Sequence, residues 1–430
     1  MSRLAELIEE LCPDGVEYRA LGDVGVFVRG GGLQKADFVE TGMPCVHYGQ
    51  IHTRFGISAS EAVTFVSEAQ FARLKHADFG DLLIATTSED DEAVGKATAW
   101  LGDGEVAISG DMFYYRHNLE PKYVSYFFAS SSFQEQKRPY LTGAKVRRIA
   151  DKGLSRIQIP VPPVEVQREI VRILDQFTTL EAELEAELEA RRTQYEHYRN
   201  HLLSYESLAA RGPVEMVNLG DVALRVVTGV TPQASNARYY EGGSNPWIRT
   251  QDVNFNRISV ASEFVTDAAI DELPLKWVKA NCVIVAISGA SAGRSALLGI
   301  DAVTNQHCCN LEIDPKRADY RYVYYSIAAR YNELRSLGRG ARGDLNVSII
   351  KSFEIPLPSV DQQSAVADLL DHFDALVNDI SSGLPAEIAA RRAQYEHYRD
   401  RLLSFPEKAA SGDDGLFRVE CGWRRLGLLR

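Results

Sequence analysis

Between residues 166 and 205 the chain has no Gly or Pro, and Ile170, Leu174, Phe177, Glu181, Leu184, Leu188, Arg191, Tyr195, Tyr198, Leu202 and Tyr205 recur at alternating spacings of four and three. Only Glu181 and Arg191 are polar in that series, so the pattern predicts a long helix with a coiled-coil seam. Some forty residues at about 1.5 Å each make a rod of roughly 60 Å, too long for one small domain to cover. A second such segment spans residues 366–405. The two rods are expected to pack antiparallel, leaving surface for another protein. Elsewhere, short apolar runs such as 81–86 and 282–287, bounded by Gly, Asn and Ser, predict strands within two mixed, strand-rich units.

The chain is written twice. Arg191, Arg192, Gln194, Tyr195, Glu196, His197, Tyr198, Arg199, Leu202, Leu203 and Ser204 return as Arg391, Arg392, Gln394, Tyr395, Glu396, His397, Tyr398, Arg399, Leu402, Leu403 and Ser404. Upstream, Ile159-Pro160-Val161-Pro162 matches Ile355-Pro356-Leu357-Pro358, Gln167 matches Gln363 and Phe177 matches Phe373. Weaker matches pair Leu21-Gly22-Asp23-Val24 with Leu219-Gly220-Asp221-Val222, residues 82–85 with 283–286, and Gly95-Lys96 with Gly293-Arg294. The period is too long for a solenoid, so whole domains are duplicated and a pseudo-two-fold molecule is expected.

The helices differ in one respect. Measured from Phe177 and Phe373 to the Arg-Arg pairs, the second is four residues longer, and Ser381-Ser382-Gly383-Leu384-Pro385 predicts a break or kink in it. Glu181, Glu185 and Glu189 share a face of the first helix, either a solvated acidic face or a docking surface for a basic partner.

At 430 residues two or three compact units are expected. The N-terminal stretch lacks the form of a leader, no run approaches membrane-span length, and the cysteines form no Cys-x-x-Cys pair. A reducing cytoplasm is the expected compartment. His307-Cys308-Cys309 suggests a metal site, but strand packing is the favoured reading.

A net charge of -12 argues against indiscriminate nucleic-acid coating, yet positive charge gathers at equivalent places. Residues 134–156 carry Lys137, Arg138, Lys145, Arg147, Arg148, Lys152 and Arg156 against Glu135 and Asp151, a net of +5. Residues 321–351 carry Arg321, Arg330, Arg335, Arg339, Arg342 and Lys351 against Glu333 and Asp344, a net of +4. Such cations neutralise phosphates, while Arg, Asn and Gln make bidentate contacts with base edges. A solvated basic surface is the plainer alternative, and recurrence in both halves favours function. The glycine-containing segments 140–145 and 337–342 are expected to be flexible loops that order on DNA. Candidate DNA contacts are Lys137, Arg138, Lys145, Arg147, Arg148, Arg249, Gln251, Arg294, Arg335, Arg339, Arg342 and Asn346, with residues 47–54, 249–256, 288–294 and 305–307 as further candidate stretches. No catalytic grouping recurs. Asn245-Pro246-Trp247 lacks the second proline of an amino-methyltransferase loop, and Gly95-Lys96-Ala97-Thr98 lacks the first glycine of a phosphate loop.

These residues resemble the specificity subunits of type I restriction-modification systems. The resemblance rests on the opening 7–17, the Ile-Pro-x-Pro segments leading into Gln167 or Gln363, the Arg-Arg-x-Gln-Tyr-x-x-Tyr-Arg helix ends, Pro246-Trp247-Ile248-Arg249, and residues 285–289 with Gly293-Arg294. It implies an α+β fold: two tandem strand-rich target-recognition domains separated by two long helices packed as an antiparallel coiled coil. The expected segments are recognition domain 1–158, helical spacer 159–208, recognition domain 209–354, spacer 355–408 and a tail 409–430. The tail's Gly422-Trp423-Arg424-Arg425-Leu426-Gly427 resembles Tyr18-Arg19-Ala20-Leu21-Gly22, either the stump of a third unit or a simple tail. The family implies that each domain reads half of an interrupted double-stranded DNA site and that the helices set the gap. It also implies two modification subunits, docking on helix residues such as Gln194, Tyr195, Tyr198, Gln394, Tyr395 and Tyr398, and motor-nuclease restriction subunits. S-adenosylmethionine, ATP and magnesium are then expected on those partners and none on this chain, which has no chemistry or membrane contact of its own. The alternatives are a stand-alone DNA methyltransferase with unrecognised motifs and a coiled-coil transcription regulator.

Overall fold

The computed structural model describes residues 2–339, 343–378 and 383–408. The chain forms two compact units, one of residues 1–183 with 388–430, the other of residues 184–387. Each holds one strand-rich head, the start of the helix that follows it, and the end of the other long helix.

In the first head the apolar runs become a five-stranded sheet in the order Gly25–Arg29, Met112–His117, Leu82–Ala85, Ala97–Trp100, Ser58–Ala59. All four residues of Leu82–Ala85 and of Ala97–Trp100 are buried, because this sheet has structure on both faces. Helix Pro121–Ala129 covers one side with Tyr123, Val124, Tyr126, Phe127 and Phe128. Val46, Ile51, Ile108 and Trp100 pack with Leu83 and Ala85 in a separate core. A second sheet runs Thr64–Val66, Met43–Val46, Val106–Ile108, Lys75–Ala77.

The second head repeats the plan: Ala223–Thr228, Cys308–Ile313, Val283–Ala286, Ser295–Leu298, Asn256–Ile258, with Tyr320–Ala329 as the covering helix. Its smaller sheet is three-stranded, Glu263–Val265, Asn245–Ile248, Val303–Thr304. Cys308 and Cys309 are buried in a central strand, and burial pushes both thiols up, so they pack as small apolar groups.

The first long helix runs unbroken from Val164 to Leu202. In the first unit Phe177 stacks on Tyr398 at 5.4 Å and lies 6.5 Å from Tyr395, while one turn along Glu181 pairs with Arg392, so the two segments run antiparallel. The second unit does the same: Tyr195 lies against Asp374, and Gln362 donates to the Leu208 carbonyl at 3.2 Å. Glu181, one of the two polar seam positions, is thus an ion-pair site. The second long segment is two helices, Val360–Asn378 and Gly383–Leu402. Of the break expected at 381–385, Ser381 and Ser382 lie outside the described residues. Gly383 has φ +69°, and a Cβ there would stand 2.5 Å from the Leu376 carbonyl oxygen, so glycine is required. The tail from 409 on lies outside the described residues.

The joint between head and helix explains the motif that the two halves share. Gln167 is buried; its Oε1 accepts the Glu120 N–H at 2.9 Å and its amide donates to the Pro162 carbonyl at 2.7 Å. Gln363, fully buried, accepts the Asp319 N–H at 2.9 Å and donates to the Pro358 carbonyl at 2.8 Å. Beside it Tyr123 donates to the Pro160 carbonyl at 3.0 Å and Tyr322 to the Pro356 carbonyl at 2.6 Å. Tyr126 donates to Asp175 at 2.8 Å and Tyr325 to Asp371 at 2.7 Å, binding covering helix to long helix. Since both partners of each glutamine would be left unsatisfied, Gln363→Leu is expected to destabilise the second unit by about 2–4 kcal/mol. Chemical denaturation followed by fluorescence checks this, and a change below about 0.5 kcal/mol would remove the glutamine from the joint.

Candidate nucleic-acid interface

In the first head the basic segment is not a loose loop. Thr142 and Arg148 exchange backbone hydrogen bonds at 2.9 Å, and Arg147 and Arg148 pair with Ser88 and Thr87 as a short antiparallel ladder. The turn needs Gly143, φ +90°, because a Cβ would lie 2.1 Å from the Val146 oxygen. The expected flexible loop is therefore a hairpin arm. Lys145 and Arg148 are exposed on it, and Arg138 is exposed just before it. Arg147 is half-buried; it pairs with Asp91 and donates to the Gly143 carbonyl at 2.6 Å. Beside the arm, helix Tyr48–Thr53 is capped by His47, whose Nδ1 accepts the Gly49 N–H at 3.2 Å. His52 Nε2 meets the Thr87 carbonyl at 3.2 Å and Lys96 donates to the His52 carbonyl at 3.3 Å. Burial holds both His52 and Lys96 below their ordinary pKa.

Lys137 corrects the sequence reading. Its side chain is 1% exposed, and its ammonium donates to the carbonyls of Glu92 and Val94 at 2.8 and 2.6 Å. Burial lowers its pKa to about 8, against the attraction of Asp90, Glu92 and Asp91. It holds the 90–95 loop in place and cannot reach a duplex.

In the second head Arg249 is half-buried over the Trp247 ring at 5.8 Å and pairs with Glu263 at 3.2 Å, so its charge is already met. Gln251 is exposed on the single turn Thr250–Asp252. Arg294 donates to Asn254 Oδ1 at 2.9 Å, and Arg335 lies over the Tyr331 ring at 5.7 Å. Arg339 is exposed and exchanges backbone hydrogen bonds with Asp344, which also accepts the Gly289 N–H at 3.1 Å. Asn346 is exposed and caps helix Val347–Lys351 by accepting the Ile349 N–H at 2.9 Å. Arg342 lies outside the described residues. Two arginines of this basic segment are occupied elsewhere. Arg321 is held by Asp319, Asp368 and Asp371 at 2.8, 2.6 and 2.8 Å, and Arg330 lies 3.4 Å from Glu333.

The structure brings the arm 142–148, the 86–96 loop and the 47–54 segment together in the first head. In the second, residues 249–256, 287–294 and 335–345 meet in the same way. Asn254 and Phe255 lie within the candidate stretch 249–256, but neither is among the individual candidate contacts. The only local signal was the turn-forming run Asn254-Phe255-Asn256, where Phe255 takes φ +53°.

Of the candidate partner contacts, Gln194 and Gln394 are exposed and Tyr198 is 48% exposed. Tyr195 is not available: it is 8% exposed, packed in the second unit's core with Arg199 over its ring at 5.7 Å, and burial pushes its phenol up. Tyr395 and Tyr398 are half-buried against the first unit's core, with burial pushing the Tyr395 phenol up to about 12.

Two duplicated heads, each clamped to a long helix and each with exposed cations on its loops, define a protein built of two repeated head-and-helix units. The model of the type I restriction modification DNA specificity domain matches residues 13–190 and again 212–390, and the chain belongs to that family. It is 33% identical over 299 residues to the Escherichia coli EcoR124I/EcoR124II type I restriction enzyme specificity subunit, covering 66% of this chain and 71% of the relative. It is 26% identical over 329 residues to a putative Haemophilus influenzae type I restriction enzyme specificity subunit, covering 73% and 78%. Among solved structures it resembles a chain of a type I R-M system solved for its complex assembly and conformational transition, with TM-score 0.62, 18% identity and coverage of 91% and 97%. It also resembles the type I S subunit from M. genitalium, with TM-score 0.50, 13% identity and coverage of 90% and 96%. No described helix is long and apolar enough to cross a membrane.

Lys137→Ala is expected to lower the first unit's stability by about 2–3 kcal/mol, since the buried Val94 carbonyl and the part-buried Glu92 carbonyl lose their donor. It should leave the salt dependence of DNA binding unchanged, because Lys137 neutralises no phosphate. A salt titration of binding decides this, and a slope reduced by about one would return Lys137 to the interface.

Proposed function

We propose that the chain is the sequence-reading subunit of a type I restriction-modification complex, in which each head reads one half of a two-part double-stranded DNA site. The long helices set the separation of the halves and dock two modification subunits, with restriction subunits joining that assembly. S-adenosylmethionine, ATP and magnesium belong to those partners in this reading, and this chain supplies recognition and scaffolding. Phosphate contacts from Lys145, Arg148, Arg138 and Arg339 give affinity, and a smaller set of side chains reads base edges.

The joint is the observation that carries the reading. Glutamine and two tyrosines fasten each head to the start of its helix with the same bonds. A head so clamped follows its helix, and a helix unbroken from Val164 to Leu202 suits a ruler. Between these clamps, deleting residues 183–186 removes about one turn, roughly 6 Å, without touching either head. Methylation mapping in cells carrying the deleted chain and its modification subunit is expected to show both half-sites preserved with a changed gap. An unchanged gap, or altered half-sites, would defeat the ruler. Purified chain is expected to support methyl transfer only when the modification subunit is added, which separates this reading from a stand-alone methyltransferase.

A further inference from the structure

The two heads place different chemistry at one shared address. In each, a glycine with positive φ ends the loop between the two central strands and is followed by a cation: Gly95 at +82° before Lys96, Gly293 at +84° before Arg294. Each glycine lies under an aromatic ring, where a Cβ would stand 3.3 Å from Phe133 or 3.2 Å from Tyr331, and each ring has a cation beside it, Lys137 or Arg335. In the first head both cations turn inward onto backbone carbonyls. In the second neither does.

We propose that Arg294 is the base-reading side chain of the second head, positioned by Asn254 and Phe255, and that it takes the acceptor edge of a guanine in the major groove. This rests on the reading of the chain given above.

The backbone of Arg294 is fixed first. Its carbonyl accepts the Ala286 N–H at 2.9 Å, and Gly293 donates to the Ala286 carbonyl at 2.8 Å, so the residue sits at the closed end of a strand pair. Its guanidinium is fixed next, by the 2.9 Å bond to Asn254 Oδ1. Asn254 is itself held, its N–H donating to Asn256 Oδ1 at 2.9 Å. Phe255 donates its N–H to the Ser295 carbonyl at 2.8 Å from a left-handed conformation, and its ring meets Tyr331 edge-on at 5.2 Å. A non-glycine residue persists in that conformation only where its surroundings enforce it, a condition that gathers at functional sites.

Charge separates Arg294 from its neighbours. Arg249, Arg321 and Arg330 each have a carboxylate partner. Among the described residues Arg294 has a neutral amide and Arg335 a phenol ring, so neither faces a carboxylate. A guanidinium carries five donors, and one bond to Asn254 leaves a fork edge for a bidentate acceptor pair. Guanine O6 and N7 offer that pair.

The test uses Arg294→Ala and Arg294→Lys in the chain carried with its modification subunit, with the motif read by methylation mapping. Binding is measured on duplexes in which each half-site position is varied in turn. The expected result is loss of discrimination, roughly ten- to hundred-fold, at one G·C position of one half-site, with the other half-site intact. Arg294→Lys keeps the charge and guards against a folding defect in the alanine variant, but it lacks the fork, so it relaxes the same position. Asn254→Ala relaxes that position as well. Uniform weakening on every sequence with a shallower salt slope would make Arg294 a phosphate contact and overturn the assignment, as would an unchanged motif or relaxation in both halves. A wild-type chain with no two-part motif would defeat the proposed function itself, whereas a wild-type motif indifferent to Arg294 defeats only this assignment.

Discussion

Everything in each unit hangs from one buried amide. The head is a sheet with its covering helix, the rod is a helix with most of one face open, and only a short stretch of chain joins them. A flexible junction would let the head swing. Gln167 and Gln363 prevent this by bonding at once to the N-terminus of the covering helix and to the proline segment entering the rod. Both amides are buried, where an unmade hydrogen bond costs most, so the arrangement tolerates few alternatives. The tyrosine bonds to the proline carbonyls and to Asp175 or Asp371 close the joint from the other side.

With the joint held constant, the loops are free to differ, and they do so electrostatically. The first head faces its basic arm with Glu89, Asp90, Asp91 and Glu92, and Arg147 is bound to one of them. The second head has Ser288, Gly289, Ala290 and Ser291 in that place, and there Arg294 and Arg335 rest on neutral groups. The first head therefore exposes cations on its hairpin arm, whereas the second holds one arginine on an amide and another over a tyrosine ring. On a chain of net charge -12 these exposed cations are local exceptions to an acidic surface.

The periodicity of residues 166–205 and the runs 82–85 and 283–286 were legible because each depends on which face of a local element is buried, and the internal repeat because residue identities recur. The seam and the central strands follow from the first, and the duplication from the second. Glu181 was readable as a polar seam position, though its partner Arg392 is supplied by the other helix.

Which cations are free was not legible. Arg147 meets Asp91 across 56 positions and Arg294 meets Asn254 across 40, while Lys137 turns into its own head to carbonyls 45 and 43 positions back. A run of basic residues states how much charge is present, but whether a side chain reaches solvent depends on groups that folding brings from far along the chain. The sequence by itself determined two heads, two helices and a basic segment in each half. Only the tertiary structure decided which of those charges are neutralised, because ion pairing and desolvation are set by neighbours in space, and local pattern carries no record of them.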